Sequence, residues 1–306
     1  MRTRSFWRKM IALAGSLSMA TTLCACELTD LPIEKLLPSS SSASVSEEEE
    51  ITEWIEEPPE ISVNSEGYVV FGEFEQDGNI SNGKEPIEWE ILETNTTGVL
   101  LITRYVLDCR QYNKELNVTN WGSSDLRMWL NTDFYTESFT NGDRLFIVPV
   151  TNKNESNPYW GTSGGNDTEE KVFILDLEEI RKYYTMDQWY DDYMFGLDSK
   201  LIVEATPAAV KNGVFTDTLV SDYASVNEDY KRFANDHLFR RDTFNEYIDS
   251  HAGMTGAQWW VRTIGSNDSS TCFVTPYGRV GYYYGQPNDK ENTGIRPCLY
   301  IKSLPE

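Results

Sequence analysis

Between residues 27 and 66 the chain carries twelve acids against a single lysine, with serines at Ser39–Ser42 and glutamates at Glu47–Glu50. Such a segment cannot bury enough apolar surface to offset the entropy of ordering it. Residues 26–66 therefore read as a disordered acidic tether. As a flexible chain of ~40 residues it would span about 35 Å, and like-charge repulsion extends it further. From Gly67 the composition changes at once, with Tyr68-Val69-Val70-Phe71 opening a stretch rich in aromatic and β-branched residues. Any fold is confined to 67–302, long enough for one large domain with its own core. No internal repeat is visible.

Ahead of the tether, Arg2, Arg4, Arg8 and Lys9 precede an uncharged, mostly apolar run from Met10 to Leu23, followed by Cys24-Ala25-Cys26. The run is about 14 residues, short of the ~20 that a membrane-spanning helix needs. Basic start, apolar middle and small-residue end form the layout of a secretory signal. The small residue directly before Cys26 resembles the lipobox read by bacterial lipoprotein signal peptidase. That resemblance implies cleavage after residue 25 and acylation of Cys26. An ordinary secretory signal with incidental cysteines is the competing reading. The expected location is the cell membrane, lipid-anchored, with the domain facing the exterior or the periplasm.

Cleavage removes four of the 26 basic residues and none of the 49 acids, so the net charge moves from −23 to −27. A field of that sign repels phosphate backbones and anionic lipid surfaces, which argues against nucleic-acid binding. Export permits disulfides. Outside the N-terminal segment the cysteines are Cys109, Cys272 and Cys298. Cys272 and Cys298 both lie in strand-like stretches, and a bridge between them is one expectation. Buried free thiols are the other, since three cysteines define no pairing.

The domain opens with strand signals. Ile87-Glu88-Trp89-Glu90-Ile91-Leu92 alternates apolar with acidic, and Asp77-Gly78-Asn79 and Asn82-Gly83 supply turn chemistry. Helix starts follow at Ser124, at Asp176 and at Pro207, the last closed by Gly213. Residues 215–258 read as a variable, largely helical insertion. Strands return at Trp259-Trp260-Val261-Arg262, Cys272 to Thr275, Val280 to Tyr284 and Cys298 to Ile301. Strands at both ends with helices between predict an α+β domain.

The tempting motifs fail on context. Gly78 to Glu85 approaches a phosphate-binding loop, but Glu85 stands where a hydroxyl is required, and a strand follows where a helix should. Gly161-Thr162-Ser163-Gly164-Gly165 spells a nucleophile elbow inside a polar loop, with no strand before it. His237 and His251 have no convergent ligands, so neither a metal centre nor a cofactor is expected. Gln286-Pro287-Asn288-Asp289 is similar to the calcium and sugar motif of C-type lectins, although turn chemistry explains it equally well. Aromatic doublets and triplets are the stronger hint. On a strand, Tyr282-Tyr283-Tyr284 must point to both faces, and Trp259 adds a large flat ring. Candidate ligand-binding residues are therefore Trp259, Tyr282, Tyr283, Tyr284, Asn288 and Asp289.

Several segments together resemble the domain-of-unknown-function 6273 family of exported bacterial proteins. They are Phe71-Gly72-Glu73-Phe74, Ile87 to Leu92, Leu107-Asp108, Leu126 to Asn131, Val172 to Leu175, Ala205 to Ala209, Trp259 to Arg262 and Gly294-Ile295-Arg296-Pro297. The resemblance implies no activity. The closing Trp-Arg and Gly-Ile-Arg-Pro segments are also similar to formylglycine-generating, sulfatase-modifying domains. Those imply a C-type-lectin-like fold. The oxidases of that group need two neighbouring cysteines, and Cys272 has no such neighbour. Arg127, Arg262 and Arg296 fall in the matching segments, and ion pairs in partly buried settings are the expectation for them. The expected function is non-enzymatic binding of an extracellular glycan or protein at the cell envelope. An envelope enzyme and a structural envelope component are the alternatives.

Overall fold

The structure, a computed structural model, describes residues 59–185, 188–190, 195–221, 241–282 and 285–305. The signal, Cys26, nearly all of the tether, Tyr283, Tyr284 and His237 lie outside the described residues. In chain order the strands are β1 (Ile61–Val63), β2 (Val69–Phe74), β3 (Glu85–Thr94), β4 (Val99–Thr103), β5 (Asp108–Cys109), β6 (Ile147–Val148), β7 (Val150–Asn152), β8 (Thr168–Glu170), β9 (Gln188–Tyr190), β10 (Phe195–Leu197), β11 (Thr216–Thr218), β12 (Thr255–Ala257), β13 (Trp259–Ile264), β14 (Ser270–Val274), β15 (Arg279–Gly281), β16 (Gln286–Pro287), β17 (Gly294–Ile295) and β18 (Cys298–Ile301). The helices are α1 (Asp125–Trp129), α2 (Tyr135–Ser138), α3 (Asn141–Phe146), α4 (Leu177–Tyr183), α5 (Pro207–Lys211) and α6 (Arg241–Ser250). The domain is mixed α+β, mostly strand with few and short helices. Among the described residues no helix is long and apolar enough to cross a membrane.

Two sheets carry the core. One has the order β1-β2-β3-β4-β18-β6 and is antiparallel throughout. The other runs β16-β14-β13-β17-β5, with the β13–β17 pair parallel. The C-terminal strand β18 thus sits beside β4, closing the first sheet with residues far apart in sequence. In β3 the expected alternation holds at Ile87 and Trp89, both fully buried. It fails at Ile91, which is exposed, because the β3–β4 register shifts between Ile91 and Glu93. In β4 all five residues are buried, as befits a central strand covered on both faces.

The first sheet begins at Ile61, pairing with Phe71, so paired structure starts six residues before the compositional change at Gly67. The glycine-rich stretch 78–83 is the turn joining β2 to the antiparallel β3. The 215–258 segment is not simply helical: β11 and β12 pair at its ends, and α6 lies between them.

The helix starts follow the capping chemistry read in the sequence. Ser124 Oγ accepts from Arg127 N, Asp176 from Glu179 N, and Thr206 from Ala209 N. Asp176 and Glu179 form a reciprocal capping box. Gly213 ends α5 at φ +101°, a backbone region that side chains disfavour. After α1 the chain makes a π-helical turn over Leu130–Phe134.

Candidate functional site

Loop 153–164, the N-terminus of α4, the end of β13 and Tyr282 enclose a cavity of about 240 Å³. A wider groove of about 670 Å³ shares Lys153, Asp176, Glu178 and Arg262 with it and reaches Lys182 and Tyr300.

Arg262 organises the walls. Its side chain is almost fully enclosed, and its donors reach five acceptors, the Lys153 carbonyl at 3.4 Å among them. Nε donates to Asn154 Oδ1 at 3.2 Å. Nη1 donates to the Ile174 carbonyl at 2.7 Å and to Glu179 Oε2 at 3.1 Å. Nη2 donates to Asp176 Oδ2 at 3.0 Å. A buried guanidinium with its donors engaged is positioned, not free to clamp a ligand. Asp176 meets Arg262 with one oxygen and caps α4 with the other. Burial, reinforced by the neighbouring Glu179 charge, pushes the Asp176 carboxyl up to about 6 despite the pull of Arg262. Beside it the Tyr282 hydroxyl donates to Glu178 Oε1. Burial and that bond raise the Tyr282 hydroxyl well above the ordinary phenol range.

The loop itself is moored by a fully buried asparagine. Asn157 Nδ2 donates to the carbonyls of Ile264 at 2.8 Å and Tyr282 at 3.2 Å. Its Oδ1 accepts from the backbone of Tyr159 at 3.0 Å and Trp160 at 3.2 Å. Thr162 Oγ1 donates to the Gly265 carbonyl at 2.6 Å. A Cβ on Gly164 would collide with the carbonyls of Asn154 and Glu155, so only glycine permits the return of the loop. This anchored loop displays Tyr159 and Trp160, 41% and 42% exposed, with ring centroids 4.9 Å apart edge to face. Trp160 Nε1 donates to the carbonyl of Tyr282, the residue that lines the cavity.

The sequence profile of the Domain of unknown function (DUF6273) matches residues 96–303. This chain belongs to the DUF6273 family. Neither the curated proteins nor the solved structures contain a match to it. Every cavity residue lies within the matched DUF6273 segment. The strands β1 to β3, including the resembling Phe71 and Ile87 segments, precede it and still complete the first sheet.

Within this DUF6273 domain the residues expected to bind ligand are placed differently from expectation. Trp259 is fully buried, because β13 is an interior strand whose residues are covered on both faces. Its ring packs 5.6 Å from the guanidinium of Arg296. Tyr282 is also buried, and it lines the cavity wall. Neither belongs to an exposed aromatic patch. Asn288 is fully buried and donates Nδ2 to the Asn117 carbonyl, while Asp289 accepts from Gln111 Nε2 through its carbonyl. The Asn288 side chain thus serves to hold the 113–119 loop. Sequence reasoning passed over Tyr159 and Trp160. Their signal was an aromatic pair inside a polar, glycine-bounded loop, where no strand face exists to bury it.

Cys109, Cys272 and Cys298 are free thiols. Cys272 on β14 and Cys298 on β18 sit in different sheets, both fully buried, each with its Sγ turned to a backbone carbonyl. Burial raises both thiols above the ordinary range. Ser163 lies in the loop with its Oγ accepting from Gly165 N, as a turn residue does. His251 Nδ1 lies 2.7 Å from the Tyr247 carbonyl at the end of α6. Arg127 pairs with buried Glu170, and Arg296 with Glu90 at 3.0 Å and the Tyr184 hydroxyl at 3.0 Å.

Proposed function

We propose that this DUF6273 protein is an exported lipoprotein, held to the membrane through Cys26, whose C-type-lectin-like head binds a glycan at the 153–164 loop. The acidic tether sets the head away from the membrane. The observation that carries the glycan reading is the exposed Tyr159–Trp160 pair on a loop whose other residues wall a carboxylate-lined cavity. Flat aromatic rings suit the apolar C–H faces of a sugar, and the exposed Glu178 carboxylate supplies an acceptor for its hydroxyls. The concavity favours a sugar over a flat protein epitope.

An envelope enzyme is the second reading, and the raised Asp176 carboxyl is the observation in its favour. Both oxygens of Asp176 are already engaged, one by the helix cap and one by Arg262, so its role in the structure is to shape the cavity.

The test is a glycan array probed with the full chain in detergent, followed by titration of the best hit. Replacing Tyr159 and Trp160 together with alanine is expected to weaken binding by about tenfold or more, given roughly 0.5–1.5 kcal/mol per aromatic contact. An array without hits, or hits indifferent to the double substitution, sinks the proposal.

A further inference from the structure

A second groove, of about 760 Å³, lies between the segment after β5 and the α1 helix with its π-helical turn. It shares no lining residue with the cavity above. Its central feature is Arg110. Nε of Arg110 donates to Asp108 Oδ2 at 2.8 Å, and Asp108 is itself buried, its other oxygen accepting from Cys109 N and Asn212 Nδ2. The guanidinium lies over the Trp129 ring, 4.0 Å from its centroid. One edge and one face of the fork are thereby fixed. The terminal nitrogens make no hydrogen bond among the described residues, and 45% of the side chain is open to solvent. A guanidinium held in this way loses little freedom on meeting a carboxylate, which it matches with two parallel bonds.

The rest of the groove narrows the ligand class. Lys114 adds a second exposed cation, Asp133 and Glu291 add exposed carboxylates, and the half-buried Asp125 adds a third whose Oδ2 accepts from Lys114 N. A simple anion would be attracted by the two cations and repelled by the three carboxylates. A ligand with a carboxylate at one end and an ammonium at the other satisfies both signs. Met128, 56% exposed, gives apolar contact beside the charged groups. The volume lies within the usual range for small-ligand sites, about 300–1,000 Å³, and exceeds what a single amino acid fills.

We propose that this groove binds a short zwitterionic peptide, with Arg110 and Lys114 holding its C-terminal carboxylate and Asp133 and Glu291 facing its ammonium end. The site is independent of the glycan reading.

The test is calorimetric titration of the full chain in detergent with Ala-Ala-Phe. Binding is expected with a dissociation constant of about 1 mM or tighter. The C-terminal amide of the same peptide should bind about tenfold more weakly, and the N-acetyl form more weakly by a smaller factor. Arg110→Lys keeps the charge but loses the fork, and should show the same tenfold loss in a chain that remains folded by circular dichroism. Lys114→Gln, at an exposed position, should weaken the acid and leave the amide unaffected. Replacement of Tyr159 and Trp160 should change none of these values. The proposal is overturned by an absence of binding, by equal binding of acid and amide, by an Arg110→Lys variant that binds normally, or by free alanine binding as tightly as the tripeptide.

Discussion

Arg262 Nη2 stands 3.0 Å from Asp176 Oδ2, and the arginine side chain that makes this bond is 2% exposed. The same guanidinium ties loop 153–154, the Ile174 carbonyl and the cap of α4 to β13. Removing it leaves two half-buried carboxylates, Asp176 and Glu179, without their counter-charge and strands the carbonyls it binds. Arg262→Met is expected to cost about 3–5 kcal/mol, the range for breaking one side of a buried pair. The midpoint of urea unfolding checks this, and a shift smaller than the uncertainty of the extrapolation contradicts it.

Asp176 carries a pH dependence of defined sign. Its folded-state carboxyl is raised to about 6 from an ordinary value of 3.8, mainly through burial. The folded protein therefore binds this proton more tightly than the unfolded chain does. The stabilisation from it is fully present below the unfolded value and is lost as pH rises through the folded one. The stability of the natural chain relative to Asp176→Asn should rise as pH falls from 7 to 4. A carboxyl carbon titration by NMR should place the Asp176 midpoint near 6, and a midpoint near 4 refutes the assignment.

Asn157 is the mooring of the aromatic loop, with its side chain reaching two carbonyls and two backbone amides. Asn157→Ala strands those groups, each at a cost of roughly 1–3 kcal/mol where burial keeps water out. The effect should be local as well as global. Hydrogen exchange at Tyr159, Trp160 and Gly161 should accelerate far more than in β4. Uniform acceleration across the domain would mean that Asn157 does not hold the loop in particular.

The features legible in the sequence are those set by neighbours along the chain. The caps at Ser124 and Asp176, the proline start at Pro207, the stop at Gly213 and the turn between β2 and β3 all depend on residues within a few positions, and each is where local chemistry places it. The alternation in β3 is legible until a register shift interrupts it at Ile91. The site is less so. Trp259 and Tyr282 look available because a strand has two faces, but residues on both faces of β13 are buried and Tyr282 lies in the turn after β15. Arg262 draws Asn154 and Asp176 from 108 and 86 residues away, and no local pattern encodes that convergence.

The thiols make a prediction that separates the two readings of Cys272 and Cys298. Both are fully buried and free, and burial holds each in its neutral, unreactive form. In the folded protein neither should react with a thiol reagent at neutral pH. In denaturant without reductant both should react fully. Mass mapping that finds the two joined in the unfolded, unreduced chain would establish the bridge instead.

The lipid anchor is testable by the chemistry it implies. A single acyl chain gives only marginal membrane binding, whereas two chains hold a protein stably, at about 0.8 kcal/mol per buried methylene. On the proposed cleavage the net charge of −27 would repel anionic headgroups and add no second hold. Cys26→Ser should therefore abolish labelling by a clickable palmitate analogue, and with the signal replaced by one cleaved independently of Cys26 it should move the protein from the membrane pellet to the soluble fraction. Cys24→Ser should change neither. A Cys26→Ser protein that stays in the pellet after a high-salt wash would show that something other than the acylated cysteine holds it there.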